Sequence, residues 1–205
     1  MTAIDSPRRR TLIGLALAGT IAAAWLAIHI TGIFFWSWTP GTVALAAVLI
    51  LVQAWLSTGL FIVAHDAMHG ALAPGGPRVN RVVGRIALGL YAALDYDRLL
   101  PKHHAHHRHV GTADDPDFSA DHPRSGLRWL VHFFRGYYTH AQIARITVVA
   151  LVYVLLLGAP LGNIVIFWAV PALLAVLQLF FFGSGIVVIC SSATISMKRQ
   201  IRTAP

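Results

Sequence analysis

The sequence predicts an all-α integral membrane protein of about four transmembrane helices plus an interfacial helix, with a histidine site on the cytoplasmic side. Three observations carry that expectation. Of 205 residues, 57% are hydrophobic and only 12% charged, with mean hydropathy +0.66, whereas a soluble domain carries roughly a quarter of its residues as charges. The apolar residues gather into long runs, as lipid demands of a spanning segment. Most of the eleven histidines lie in the polar stretch between those runs.

The first run, Leu12 to Ile30, follows Arg8, Arg9 and Arg10 and ends in Phe34, Phe35, Trp36 and Trp38. It is too long for the apolar core of a cleaved signal. A turn at Thr39-Pro40-Gly41 leads into the second run, Val43 to Ala64. From Asp66 to about Ala144 the chain is polar, except for an apolar piece of about 13 residues, Val82 to Leu94. That length suits an interfacial or re-entrant helix better than a span. The last two runs are Ile146 to Leu157 and Ile164 to Phe182, joined by a neutral turn at residues 158–162. The first of them reaches spanning length only if it starts near His140; a rival reading makes it a buried amphipathic helix. The positive-inside rule places Arg8–Arg10, the histidine stretch and the tail with Lys198, Arg199 and Arg202 in the cytoplasm. The expected setting is therefore a cytoplasmic membrane, crossed several times, with both termini cytoplasmic. Residues 1–205 suit a single domain.

Composition also excludes function classes. The net charge is +8, but the basic residues are dispersed and the aromatics sit in apolar runs, so no nucleic-acid partner is expected. Cys190 is the single cysteine, which rules out an intramolecular disulfide framework and cysteine-based zinc sites. All eight acids are Asp. Without Glu, neither the Glu-x-x-His pairs of carboxylate di-iron bundles nor a His-Glu-x-x-His protease helix is available. Any metal must be held mainly by imidazole.

Two histidine groups have ligand spacing. His65 and His69, at i and i+4, share a helix face at the end of the second run. Gly70 and Pro74-Gly75-Gly76-Pro77 then end that helix. In Lys102-His103-His104-Ala105-His106-His107-Arg108-His109, a helix would place His103, His106 and His107 on one face with His104 displaced. A solvated basic patch on lipid head groups is the bland alternative. Imidazole suits iron, zinc, copper and nickel, and an all-histidine site with nearby Asp points to iron and oxygen chemistry. Asp66, Asp115 and Asp117 are candidates for holding the distal N–H of a ligand in place, although Asp114–Asp117 also reads as an ordinary turn. Transport is disfavoured because the apolar runs hold almost no ionisable residue but His29. His122, His132 and His140 lack paired spacing and read as structural or interfacial.

The segments HDAMHG (65–70), APGGPRVNRVVGRIALGLYAALDYDR (73–98), KHHAHHRH (102–109) and GTADDPDF (111–118) resemble the bacterial beta-carotene ketolases, carotenoid 4,4'-oxygenases of the membrane fatty-acid desaturase and hydroxylase superfamily. The resemblance runs from about residue 10 to Gly183. It implies a non-haem di-iron centre with His65, His69, His103, His106 and His107 as iron ligands. It also implies O2 as co-substrate, an electron donor such as ferredoxin, and a carotenoid or other lipid-soluble substrate. The implied reaction converts ring carbon C4 of beta-carotene to a ketone through successive hydroxylations. Superfamily alternatives are a carotenoid hydroxylase or a fatty-acid desaturase; a non-catalytic membrane metal-binding remnant is the alternative outside catalysis. The family carries further histidine boxes after its fourth span, whereas this sequence continues as SGIVVICSSATISMKRQIRTAP with no histidine beyond His140. About four protein nitrogens per metal are needed in an imidazole-only site, and five ligands leave it short. His104, His109 and His140 offer no evident replacement. The expectation is a frame shifted or truncated after about Gly183, leaving an incomplete ketolase.

Overall fold

Ser6 and Pro7 start the first helix. The Ser6 hydroxyl accepts from the Arg9 backbone N–H at 3.3 Å, and proline at the first helical position loses no intrahelical bond. The structure, a computed structural model, describes residues 6–110, 112–118 and 126–182; His122 and the tail after Phe182 lie outside them. Among the described residues, all regular structure is helical.

Helix α1 is Pro7–Phe34, α2 Val43–Met68, α3 Pro77–Ala92, α4 Tyr96–His109 and α5 Gly126–Tyr137. Helix α6 runs His140–Leu156, its last turn π-helical, and α7 runs Leu161–Phe180. Three of these, α1, α2 and α7, are long and apolar enough to cross a membrane, and a fourth span arises if α5 and α6 count together as one broken span. The multi-span architecture expected from composition is present. The third apolar run does begin at His140, which extends it upstream of Ile146 and takes in Gln142 and Arg145.

The described residues group into two units, one within Met1–Arg98 and His140–Val176, the other within Leu99–Thr139 and Leu177–Pro205. In the first unit, large apolar side chains point outward: Leu51 is 65% exposed, Trp55 69% and Leu155 72%. Polar ones lie inside, with His29, Gln53, Ser57 and Asn163 all buried. That inversion is what a lipid solvent selects, because polar groups there need partners within the protein. Trp25 Nε1 donates to Ser57 Oγ at 2.9 Å, and Gln53 Nε2 donates to the Trp25 carbonyl at 3.2 Å, fastening α1 to α2. His29 stacks on Trp25 at 4.4 Å and meets Tyr153 Oη at 3.3 Å.

A core of Ile33, Ala46, Ala159, Ile164 and Phe167 lies at the end of this unit where α2 begins. Asn163 closes it, accepting from Trp38 Nε1 at 2.7 Å and donating to the Ile33 and Trp36 carbonyls. Ala46 and His65 are 19 residues apart on α2, about 28 Å at helical rise. The histidine-bearing end of α2 is thus far from the aromatic core.

Helix α3 packs along α2 and is amphipathic. Asn80, Gly84, Ala87, Leu88 and Tyr91 are buried while Arg78, Arg81, Val82, Arg85 and Ile86 are exposed. Its two-sided surface explains why its apolar stretch is short. The turn before it is held by Asn80, which accepts from the Ala73 N–H at 3.0 Å and donates to the Ala73 and Gly76 carbonyls.

Candidate metal centre

Helix α2 ends in the first candidate pair, His65 and His69. His69 is its C-cap and Gly70 follows at φ +71°, a left-handed turn that suits glycine. The Ala71 and Leu72 N–H groups return to the Asp66 carbonyl, so the chain reverses directly after the pair. His65 and His69, one turn apart, bring their rings to 4.7 Å between centroids. His65 Nδ1 lies 3.2 Å from Asp66 Oδ1. A proton held at Nδ1 by that carboxylate leaves the ring's lone pair on Nε2.

In the second unit, α4 covers the whole run from Lys102 to His109. Pro101 interrupts one rung of its ladder just before the histidines. His103 and His107, again at i and i+4, stand 4.5 Å apart between ring centroids, while His106 and His107 are at 5.7 Å. The sequence places His103, His106 and His107 on one face. The structure refines this: His103 pairs with His107, and His106 turns to the carboxylates. His106 Nδ1 is 2.8 Å from Asp115 Oδ1 and 3.5 Å from Asp117 Oδ2. His104 stands 6.2 Å from His103 between ring centroids.

The Asp115–Asp117 segment is a built turn. Asp115 Oδ1 accepts from the Asp117 N–H at 2.9 Å as well as from His106, and the Phe118 N–H reaches the Asp115 carbonyl at 3.0 Å. Both carboxylates are buried. Burial pushes the Asp117 carboxyl above its usual range, with the Tyr137 hydroxyl and His106 pulling the other way. Asp114, in contrast, is exposed. Sequence reading found the two aspartates but missed Tyr137, whose hydroxyl donates to Asp117 Oδ1, and Lys102, which donates to the Gly136 carbonyl. Neither has a spacing signal, because the partners lie 20 and 34 residues apart in sequence.

The donor set fits a borderline metal such as iron. It offers two imidazole pairs at one-turn spacing, and a further imidazole oriented by carboxylate, the arrangement that fixes tautomer and basicity in metal-binding histidines. His106, Asp115 and Asp117 offer ligand atoms within 4.8 Å of one another, with His106 Nδ1 at 2.8 Å from Asp115 Oδ1.

Helical spans and paired histidines at helix ends define a class: a multi-span membrane protein with a histidine-rich candidate metal centre. Among curated proteins, the chain is 42% identical over 174 residues to a beta-carotene ketolase from a Paracoccus strain, covering 85% of this chain and 70% of that protein. A second Paracoccus beta-carotene ketolase gives 42% over 175 residues with the same coverage. A zeaxanthin 4-ketolase from Chlamydomonas reinhardtii gives 37% over 188 residues, covering 87% of this chain and 42% of that protein. No family model matches the chain, and no solved structure does. The chain belongs to the beta-carotene ketolase family.

Proposed function

We propose that this protein is a carotenoid ketolase that introduces a keto group at C4 of a beta-ionone ring, using O2 and a di-iron centre to which His65, His69, His103, His106 and His107 contribute ligands. The observation that carries this reading is the coincidence of family membership with paired imidazoles on α2 and α4. Bound iron would supply the activation of O2 needed to oxidise a C–H bond beside a ring double bond.

The protein's own residues do the rest. His65 and His69, and His103 and His107, are the pairs that bind. Asp115 keeps the His106 proton on Nδ1, and Asp66 does the same for His65, so both rings offer Nε2. The exposed apolar faces of α1, α2 and α7 admit a substrate that arrives dissolved in the bilayer. The reading sets the histidine clusters and both termini on the cytoplasmic side of a bacterial inner membrane, where a small electron carrier such as a ferredoxin docks.

The test is turnover by the purified full chain in lipid nanodiscs, supplied with Fe(II), beta-carotene, O2 and a reducing ferredoxin system, with products separated by chromatography. Keto-carotenoids that require both iron and O2 support the reading. Hydroxy-carotenoids alone would make the enzyme a hydroxylase of the same superfamily, and absence of any oxidised product from an iron-loaded chain would refute catalysis.

A further inference from the structure

The second unit contains a linkage that the ligand set alone does not call for. The last turn of α5 is fastened twice to the region around His106. Lys102 Nζ donates to the Gly136 carbonyl and stands 5.5 Å from the centre of the Tyr137 ring. A cation at a helix C-terminus meets the negative end of the macrodipole, and one over an aromatic face gains a further attraction. Tyr137 in turn donates to Asp117 Oδ1. Asp117 shares its neighbour's oxygen through its own backbone N–H, at 2.9 Å from Asp115 Oδ1, and presents Oδ2 at 3.5 Å from His106 Nδ1.

The geometry is a chain of single contacts: Lys102 to the α5 end, Tyr137 to Asp117, Asp117 and Asp115 to His106. A buried carboxylate with two oxygens can rotate, and only one rotation offers Oδ2 to the imidazole. The Tyr137 hydroxyl occupies Oδ1 and so selects that rotation. Asp115 Oδ1 receives both the Asp117 N–H and the His106 contact, so a shift of Asp117 also changes what that oxygen offers the imidazole. The Tyr137 ring is set by Lys102, which sits one residue before His103, so the same helix that bears the histidines also places the tyrosine.

We propose that Tyr137 is a positioning residue for the metal centre, acting through Asp117 to fix the orientation and tautomer of His106, with Lys102 holding the Tyr137 ring in place. This rests on the reading of His106 as a metal ligand. It adds a residue from α5, far from the histidine segments in sequence, to the machinery of the reaction.

Two measurements test it, both on the full chain in nanodiscs. The first needs no metal: 15N NMR of imidazole-labelled protein, with the His106 signal identified by its loss in His106→Gln. The proposal requires the His106 proton on Nδ1 in the wild type and a mixture of tautomers in Tyr137→Phe. A wild-type proton on Nε2, or an unchanged signal in the variant, overturns it. The second is Co(II) binding followed by ligand-field absorption. Asp117→Asn should weaken cobalt binding by about 10- to 100-fold, as for other residues that orient ligands. Tyr137→Phe should give about the lower end of that range, and the double variant should be no worse than Asp117→Asn alone. Additive losses, or a Tyr137→Phe variant that loses thermal stability at unchanged cobalt affinity, would show a packing role and overturn the proposal. A wild type that binds no cobalt would instead remove the metal centre itself, and this inference with it.

Discussion

Adding one methyl group at Gly84 tests how tightly the start of the histidine helix is seated. A Cβ there would lie 2.2 Å from Tyr96 Cε2, 2.7 Å from Cδ2 and 3.1 Å from Cζ. Carbon atoms rest at about 3.5 Å or more, so the ring must retreat by about 1.3 Å. It has little room, being only 4% exposed. Its neighbour Asp97 is held by Arg81 at 2.8 Å and by Arg85. Overpacking of this kind costs about 1–3 kcal/mol, opposed by about 1 kcal/mol of helix propensity gained on replacing glycine by alanine. Gly89, on the same helix, has nothing within 4 Å of its virtual Cβ, so Gly89→Ala gains the propensity without the clash. The propensity change is common to both variants. Their difference isolates the overpacking and should be about 1–3 kcal/mol in favour of Gly89→Ala, read from unfolding in mixed detergent micelles. Because Tyr96 is the first residue of α4, Gly84→Ala should also lower keto-carotenoid yield by about tenfold or more, as a displacement near 1 Å can. A Gly84→Ala protein as stable as Gly89→Ala would refute the close packing of α3 on Tyr96.

Further outcomes follow from the same contacts. Asn80→Ala removes the acceptor of the Ala73 N–H, while the Ala73 and Gly76 carbonyls keep the backbone N–H groups of Gly76 and Asn80; it should cost about 1–3 kcal/mol, measured by the same unfolding assay. Asp97, held below the ordinary carboxylate range first by its hydrogen bond to Arg85 and then by Arg81, stabilises the α3–α4 junction fully above its unfolded pKa. That contribution is lost as pH falls through the depressed folded value, so the melting temperatures of wild type and Asp97→Asn should converge in acid. His106→Ala and His69→Ala should each lower bound iron, measured by metal analysis of purified protein, with retained helicity by circular dichroism separating metal loss from unfolding.

The spans were legible because lipid imposes one rule on every residue of a run, and that rule needs no knowledge of neighbours. The paired histidines were legible for a similar reason: i and i+4 are adjacent on any helix, so His65–His69 and His103–His107 follow from local geometry alone. His106 was harder. Its spacing from His103 allows it on the same face, but Asp115 competes for the ring, and that competition depends on a turn whose form the sequence leaves open between cap and orienting group. Tyr137 and Lys102 were not legible at all, since their contacts close over 20 and 34 residues of chain. Helix α3 lay between. Its short apolar stretch marked it as something other than a span, but its buried face of Asn80, Gly84 and Tyr91 mixes polar and small residues that no hydropathy count assigns to a core.

The central claim is that the paired histidines hold a metal that oxidises a carotenoid ring. It is tested most directly by expressing this chain in a beta-carotene-accumulating bacterium, beside His65→Ala and His103→Ala, and separating the pigments by chromatography. The account predicts echinenone or canthaxanthin from the wild type and beta-carotene alone from both variants at equal protein level. Unchanged beta-carotene in the wild type, or ketone surviving in either variant, would contradict it.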